Sequence, residues 1–247
     1  MTNDEKNERN QQQGGAEPAI LLPGVITAML GLLVAIHLAR ELILNPEGNF
    51  ELELWLAFVP FRIIAGQQLP ELWLPLLWTP FTHALLHAGW EHLLFNCAWL
   101  AIFGTPVARR YGVLPTLVLF LVSAAVGAAC FAITVLPDNQ WLIGASGGVA
   151  GLTGAACRFM FQPVLVSTDP ETGAQIVLGR RLASYGELLR DSRARFFIAL
   201  WLLLNAAVPF MPLLFGQEVG IAWQAHLGGF LIGLIIVPLF ERKSRES

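Results

Sequence analysis

Twenty-four residues from Val113 to Leu136 pass without a charged side chain, and the 21 from Ala19 to Ala39 do the same. Such runs leave few choices of fold. A hydrocarbon layer of roughly 30 Å is crossed by about 20 apolar residues in a helix, because lipid offers the backbone N–H and C=O groups no other partners. Four further stretches approach that length: Gly89 to Ala108, headed by Glu91; Ala145 to Phe161, shorter and with Arg158 near its far end; Phe196 to Phe215; and Val219 to Phe240. The expected fold is an all-α membrane protein with six transmembrane helices. Composition agrees, since 55% of the residues are hydrophobic, 13% are charged and the mean hydropathy is +0.59, far from the balance of a soluble domain. The segment Glu51 to Leu77 is apolar enough to touch the membrane without counting as a span.

Basic residues set the expected orientation. Thirteen of them lie before span one, between spans two and three, between spans four and five, and after span six, whereas only Arg40 and Arg62 fall on the other side. Both termini are then cytoplasmic. The net charge of -3 carries no information about partners beside that asymmetry, and no nucleic-acid partner is expected. Residues 1–18, with Gln11, Gln12, Gln13, Gly14 and Gly15 in a row, read as a disordered cytoplasmic tail. Residues 19–241 read as one membrane domain, interrupted by a polar cytoplasmic loop at 163–194 in which a small hairpin or an amphipathic helix would fit, and 242–247 as a basic tail. The Ala19 to Ala39 run is too long, and wrongly flanked, for a cleaved signal. With no targeting segment, a bacterial inner membrane is the expected location.

Cys97, Cys130 and Cys157 fall inside the spans with no close spacing and read as small packing residues. Glycine, by contrast, is concentrated in two places. Gly147, Gly148, Gly151 and Gly154 lie in span four, and Gly228, Gly229 and Gly233 in span six. The four-residue spacings Gly147/Gly151 and Gly229/Gly233 let membrane helices bring their backbones together, although this leaves the oligomeric state open.

Polar groups at membrane depth are costly and mark functional sites by default. Spans two, four and six all run inward in the expected topology, so His83, His87, His92 and Asn96, then Ser146, then His226 all meet in the outer half of the bilayer. His92 and Asn96, four apart, share a helix face. Singly, each residue has a bland reading: Ser146 as a cap or packing residue, His226 as a histidine bonded to a carbonyl, His37 as an apolar-face histidine without polar neighbours. Glu91 reads as an interfacial charge beside Trp90, and Asp138 as a turn residue. Their shared depth favours a nucleophile and its base. The acidic residue nearest His226 in the outer half is Glu218, at the mouth of span six, so a Ser-His dyad without a third carboxylate is expected.

Three motifs in order then resemble the rhomboid family of intramembrane serine proteases over about Val25 to Phe240: His87-x4-His92-x3-Asn96, Gly144-Ala145-Ser146-Gly147, and Ala225-His226-x2-Gly229-x3-Gly233. The resemblance implies a six-helix bundle with a short central helix carrying the nucleophile Ser146, and His226 as general base. It implies an oxyanion hole from His92, Asn96 and the Ser146 N–H, with His87, Gly144 and Gly147 in support. It implies substrates that are single-span or other transmembrane proteins in a lipid bilayer, cut in or beside their helices near the outer face, with no metal and no cofactor. Two features depart from the family pattern. Ala150 stands where rhomboids often carry an aromatic against the base, and Trp78-Thr79 where many have Trp-Arg, a role not transferable to Arg62.

Two rival readings remain at this point. One is a catalytically inactive rhomboid-like scaffold that binds transmembrane helices, favoured by Ala150 and Thr79. The other is a metal-dependent enzyme or metal transporter using His83, His87 and His92, disfavoured by the lack of acidic partners and of a His-Glu-x-x-His run.

Overall fold

A computed structural model of the chain describes residues 21–170, 172–210 and 220–241. The expected tails and Glu218 lie outside them. The described chain is mostly helical. Helix α1 spans Gly24–Leu42 and starts after Pro23, whose carbonyl accepts from Ile26 N–H at 2.9 Å. Helix α2, Pro46–Leu56, is capped by Asn45, whose side chain accepts from Gly48 N–H at 2.8 Å. Short turns then lead to α3, Trp90–Trp99, which continues through a wider π turn at Leu100–Gly104 into α4, Thr105–Tyr111. Helices α5, Val113–Val135, and α6, Ser146–Met160, follow. After α6 come strands β1, Val164–Thr168, and β2, Gln175–Arg180. The remaining helices are α7, Tyr185–Arg190, α8, Ser192–Ala207, and α9, Trp223–Ile236, the last prolonged by a 3-10 turn to Phe240.

Three of these helices are long and apolar enough to cross a bilayer: Gly24–Leu42, Val113–Val135 and Trp223–Phe240. Their outward faces are apolar, with Leu32, Leu114, Ile133 and Leu239 exposed, as expected where the solvent is lipid and not water. The antiparallel hairpin β1–β2 is the one exception to an all-helical chain among the described residues. It falls within the loop where a hairpin or an amphipathic helix was open. Strand is the outcome there because Val164, Val166, Ile176 and Val177 are β-branched and the segments lack a helical apolar stripe.

The core is a three-helix contact of α5, α6 and α9. Every α6 residue from Gly147 to Phe159 is buried, and glycine is what permits it. A Cβ placed on Gly229 would drive into the carbonyl of Gly147, and one on Gly233 into the carbonyl of Gly151. Backbone therefore meets backbone along the α6/α9 crossing, a geometry in which dispersion contacts replace the hydrophobic drive that lipid does not supply.

Charges at the other end of the bundle are satisfied in pairs or by carbonyls. Arg158 is buried, and its Nε donates to Ala183 O at 2.8 Å while Nη1 donates to Leu234 O at 3.0 Å. The guanidinium of Arg110 forms two bonds of 3.0 Å with the Glu241 carboxylate, which also accepts from Tyr111 Oη at 2.6 Å. These contacts tie the ends of α4 and α9 together.

Candidate active site

The site is built on the loop that enters α6. Phe58 and Leu142 exchange backbone hydrogen bonds of 3.1 and 2.9 Å, which anchors the start of that loop. Gly144 follows with φ of 120°, a conformation that favours glycine. Its N–H donates to His83 O at 2.9 Å, and Ala145 N–H donates to His87 Nε2 at 3.4 Å. The two histidines thus hold the loop and leave Ser146 as the first residue of α6, where the N–H groups of a helix lack intrahelical acceptors. His83 itself is buried, with Nε2 at 3.4 Å from Ala124 O.

His92 lies in the first turn of α3, half-buried. Its Nδ1 accepts from Ala88 N–H at 3.4 Å, which places the ring proton on Nε2. That nitrogen faces Gly144 so closely that a Cβ there would stand 2.8 Å from it. One turn on, Asn96 is buried and donates from Nδ2 to His92 O at 2.9 Å, leaving the second amide hydrogen free to be used elsewhere. His226 lies in the first turn of α9. A cavity of about 690 Å³ is lined by Ser146, His226, His92 and Asn96 together, with Ala150, Trp201 and Asn205 among the other walls. Ser146 and His226 share the cavity without a hydrogen bond to each other, which is ordinary for a site awaiting substrate.

The rings of His87 and His92 meet edge-on with centroids 5.1 Å apart, while His83 bonds elsewhere. Each turns to a different backbone group, as described above, and among the described residues no three His, Cys, Asp or Glu side chains are grouped to hold a metal ion. His37 is buried and meets the Trp90 ring edge-on, with centroids 4.6 Å apart.

Two residues of this neighbourhood escape the sequence reading. Arg40, at the end of α1, donates from Nη1 to His87 O at 2.8 Å, from Nε to Asn49 Oδ1 at 3.2 Å, and pairs with Glu53. It braces the histidine-rich stretch from a helix far away in sequence, while Arg62 donates to Leu54 O and Trp78 donates from Nε1 to Trp55 O at 2.7 Å. The second is Asn205 on α8, whose Oδ1 lies 2.9 Å from His226 Nδ1. A polar amide inside the apolar run Phe196 to Phe215 was the available signal for it.

The Rhomboid domain family model matches residues 75–243, more than half of the chain and every side chain that lines this cavity. The chain belongs to the rhomboid family. Among its relatives, the rhomboid protease GlpG of Haemophilus influenzae is 30% identical over 159 residues, 64% of this chain and 67% of the relative. The rhomboid protease GlpG of Pectobacterium atrosepticum is 27% identical over 205 residues, 83% of this chain and 59% of the relative. The rhomboid protease AarA of Providencia stuartii is 25% identical over 166 residues, 62% of this chain and 52% of the relative. The chain thus spans about half to two thirds of the length of these rhomboids, and with them it is an integral membrane protein.

Proposed function

We propose that this rhomboid is an intramembrane serine endopeptidase in which Ser146 is the nucleophile and His226 its general base. The observation that carries the reading is the single cavity onto which Ser146, His226, His92 and Asn96 open from three different helices. In this mechanism Ser146 Oγ attacks the scissile carbonyl while His226 Nε2 takes its proton, and the imidazolium then returns that proton to the leaving amine. The oxyanion is met by His92 Nε2–H, the Asn96 amide and the Ser146 N–H. Each such donor contributes roughly 3 to 4 kcal/mol in a site that excludes water. Water then hydrolyses the acyl-enzyme by the same proton route.

The substrates in this reading are transmembrane segments of other proteins. A peptide bond inside an intact helix is shielded by its neighbours and must unwind to reach Ser146. The fold that serves it has six spans, the three long helices being joined by α3 with α4, by the short nucleophile helix α6, and by α8. The membrane domain covers 19–241 between two cytoplasmic tails, and the outer face of a bacterial inner membrane is where the cut is made. No cofactor or metal takes part.

The test incubates purified protein in liposomes with a panel of single-span substrates and reads cut sites by mass spectrometry. Wild type should cut at sites within or beside the spans, and Ser146→Ala and His226→Ala should each abolish cleavage while remaining folded. Retained proteolysis in either variant would remove that residue from its role. Absence of cleavage in wild type, with substrate helices still captured, would leave the scaffold reading in place.

A further inference from the structure

The proposed base sits in a pairing between two helices that the dyad chemistry does not itself require. Asn205 Oδ1 is 2.9 Å from His226 Nδ1, and the same amide donates from Nδ2 to Trp201 O at 2.8 Å. The second bond decides the orientation of the amide. Were the group turned over, Oδ1 would face the Trp201 carbonyl, two acceptors without a hydrogen between them. With Nδ2 committed to Trp201 O, only Oδ1 faces His226, and an amide oxygen can only accept. Nδ1 of His226 must therefore carry the proton, and Nε2 is left with its lone pair.

The pair is also set in register. Trp201 stacks on Phe230 with ring centroids 4.3 Å apart and an interplanar angle of 20°. Trp201 is one turn before Asn205 on α8, and Phe230 is one turn after His226 on α9. The antiparallel helices thus meet at two levels, an aromatic one below and a polar one above. Ala150 belongs to the aromatic level, packed in one buried cluster with Trp201 and Phe230. Its small side chain leaves room for the indole, which a larger residue at 150 would contest.

We infer that Asn205 is a positioning residue for the base: it fixes the Nδ1–H tautomer and ring orientation of His226, with Trp201 locking its amide, so that Nε2 is presented to Ser146. The assignment rests on the dyad reading of the proposed function. It supplies what Ala150 cannot, an element that holds the imidazole, and it does so from α8 with a neutral amide in place of a carboxylate.

The test separates this inference from the dyad itself. Selective 15N labelling of the five histidines, with His226 assigned by its loss in His226→Gln, reads the tautomer in Ser146→Ala protein, where turnover plays no part. Nδ1–H is expected for His226, and Asn205→Ala should convert it to a mixture of tautomers. In the active background, Asn205→Ala should lower kcat by about 10²-fold with KM changed less than about threefold, since proton transfer is affected and not binding. Asn205→Asp keeps an acceptor for Nδ1 but loses the donor to Trp201 O, so it should recover the rate only in part while keeping the Nδ1–H tautomer. A proton found on Nε2 of His226, or an Asn205→Ala variant with wild-type kcat, would overturn the positioning role even if Ser146→Ala is inactive. Should Ser146→Ala cleave normally, the dyad reading fails instead, and the tautomer measurement still decides what Asn205 does.

Discussion

Replacing Gly144 by alanine should damage both stability and turnover, because the two effects of the added methyl act on different things. The first is backbone strain. At φ of 120° an L-residue is held in a poorly populated region at a cost of about 1 to 3 kcal/mol. The second is a collision, since the new Cβ would lie 2.8 Å from Cε1 and Nε2 of His92. Ordinary contact begins near 3.4 Å, so the ring must retreat by about 0.6 Å. An oxyanion donor acts over a window only about 0.4 Å wide, so with His92 as the donor proposed above, that displacement is large enough to lose most of its contribution. A fall in kcat of about 10² is therefore expected, with KM little changed. Gly179→Ala is the control, because Gly179 has φ of 98° with nothing within 4 Å of the new methyl. It carries the strain without the collision. Turnover of a single-span substrate and thermal unfolding in detergent would be measured for both variants, and for Gly144→Ala combined with His92→Ala. In the double variant the loss from Gly144→Ala should largely vanish, since the donor is already gone. Full additivity, or a Gly144→Ala variant with wild-type kcat, would refute the argument.

Three further outcomes follow from other parts of the molecule. Gly229→Leu should prevent recovery of monodisperse protein, because the side chain would have to occupy the space of the Gly147 carbonyl, whereas Gly173→Ala, at an open turn with φ of 69°, should be recovered normally by size exclusion. Arg40→Met removes the donor to His87 O and leaves Glu53 without its partner, a change expected to cost about 1 to 3 kcal/mol, since Arg40 is buried but the Glu53 side chain is 30% exposed; Glu53→Gln, which keeps an acceptor for Arg40, should unfold at a temperature closer to wild type. Away from the three long apolar helices, the Glu187 carboxyl is held down at about 2 by its bidentate contact with Arg181 and by the Ser184 cap. The lowered folded value stabilises α7 above the unfolded value of 4.5, and that contribution is lost as pH falls from there through about 2; the protection factor at the start of α7, the intrinsic amide exchange rate divided by the observed rate at the same pH, should fall over that window in wild type, and an unchanged protection factor would show that the cap does not hold the turn.

The parts legible in the sequence are those encoded by local periodicity. Charge-free runs marked the three long helices because lipid forbids unpaired backbone, and their observed limits fall within a few residues of the runs. Helix ends were less legible: α1 carries on past Ala39 to include Arg40, since the guanidinium finds partners in Asn49, Glu53 and His87 that hydropathy alone does not reveal. The glycine spacing of spans four and six announced a close approach, but which carbonyl each glycine faces depends on the crossing of α6 and α9. Likewise the histidine-rich stretch was visible as a polar locus, while its division of labour was not. His83 and His87 hold the loop at Gly144 and Ala145, and only His92 turns toward the cavity, because the chain leaves helical geometry between Leu85 and Trp90 and breaks the face that an unbroken helix would have kept.

Asn96 and Asn205 make the clearest contrast. Both are amides in apolar helices, and both donate from Nδ2 to the carbonyl four residues before, His92 O and Trp201 O respectively. Asn96 could be singled out because a partner on its own helix, His92, stands one turn away and helical spacing is enough to join them. Asn205 has no such companion. Its neighbour His226 is 21 positions away, and the two meet only because the stacking of Trp201 on Phe230 sets the sliding register of α8 against α9. A one-turn slip of about 5.4 Å would leave Asn205 facing Phe230. Its Oδ1 would then lack a donor in an apolar cluster, at a cost of about 1 to 3 kcal/mol, although Nδ2 would keep Trp201 O. Ala150 and Trp201 therefore have to be read together: the small residue on α6 admits the indole, the indole sets the register, and the register carries an acceptor to Nδ1 of the proposed base.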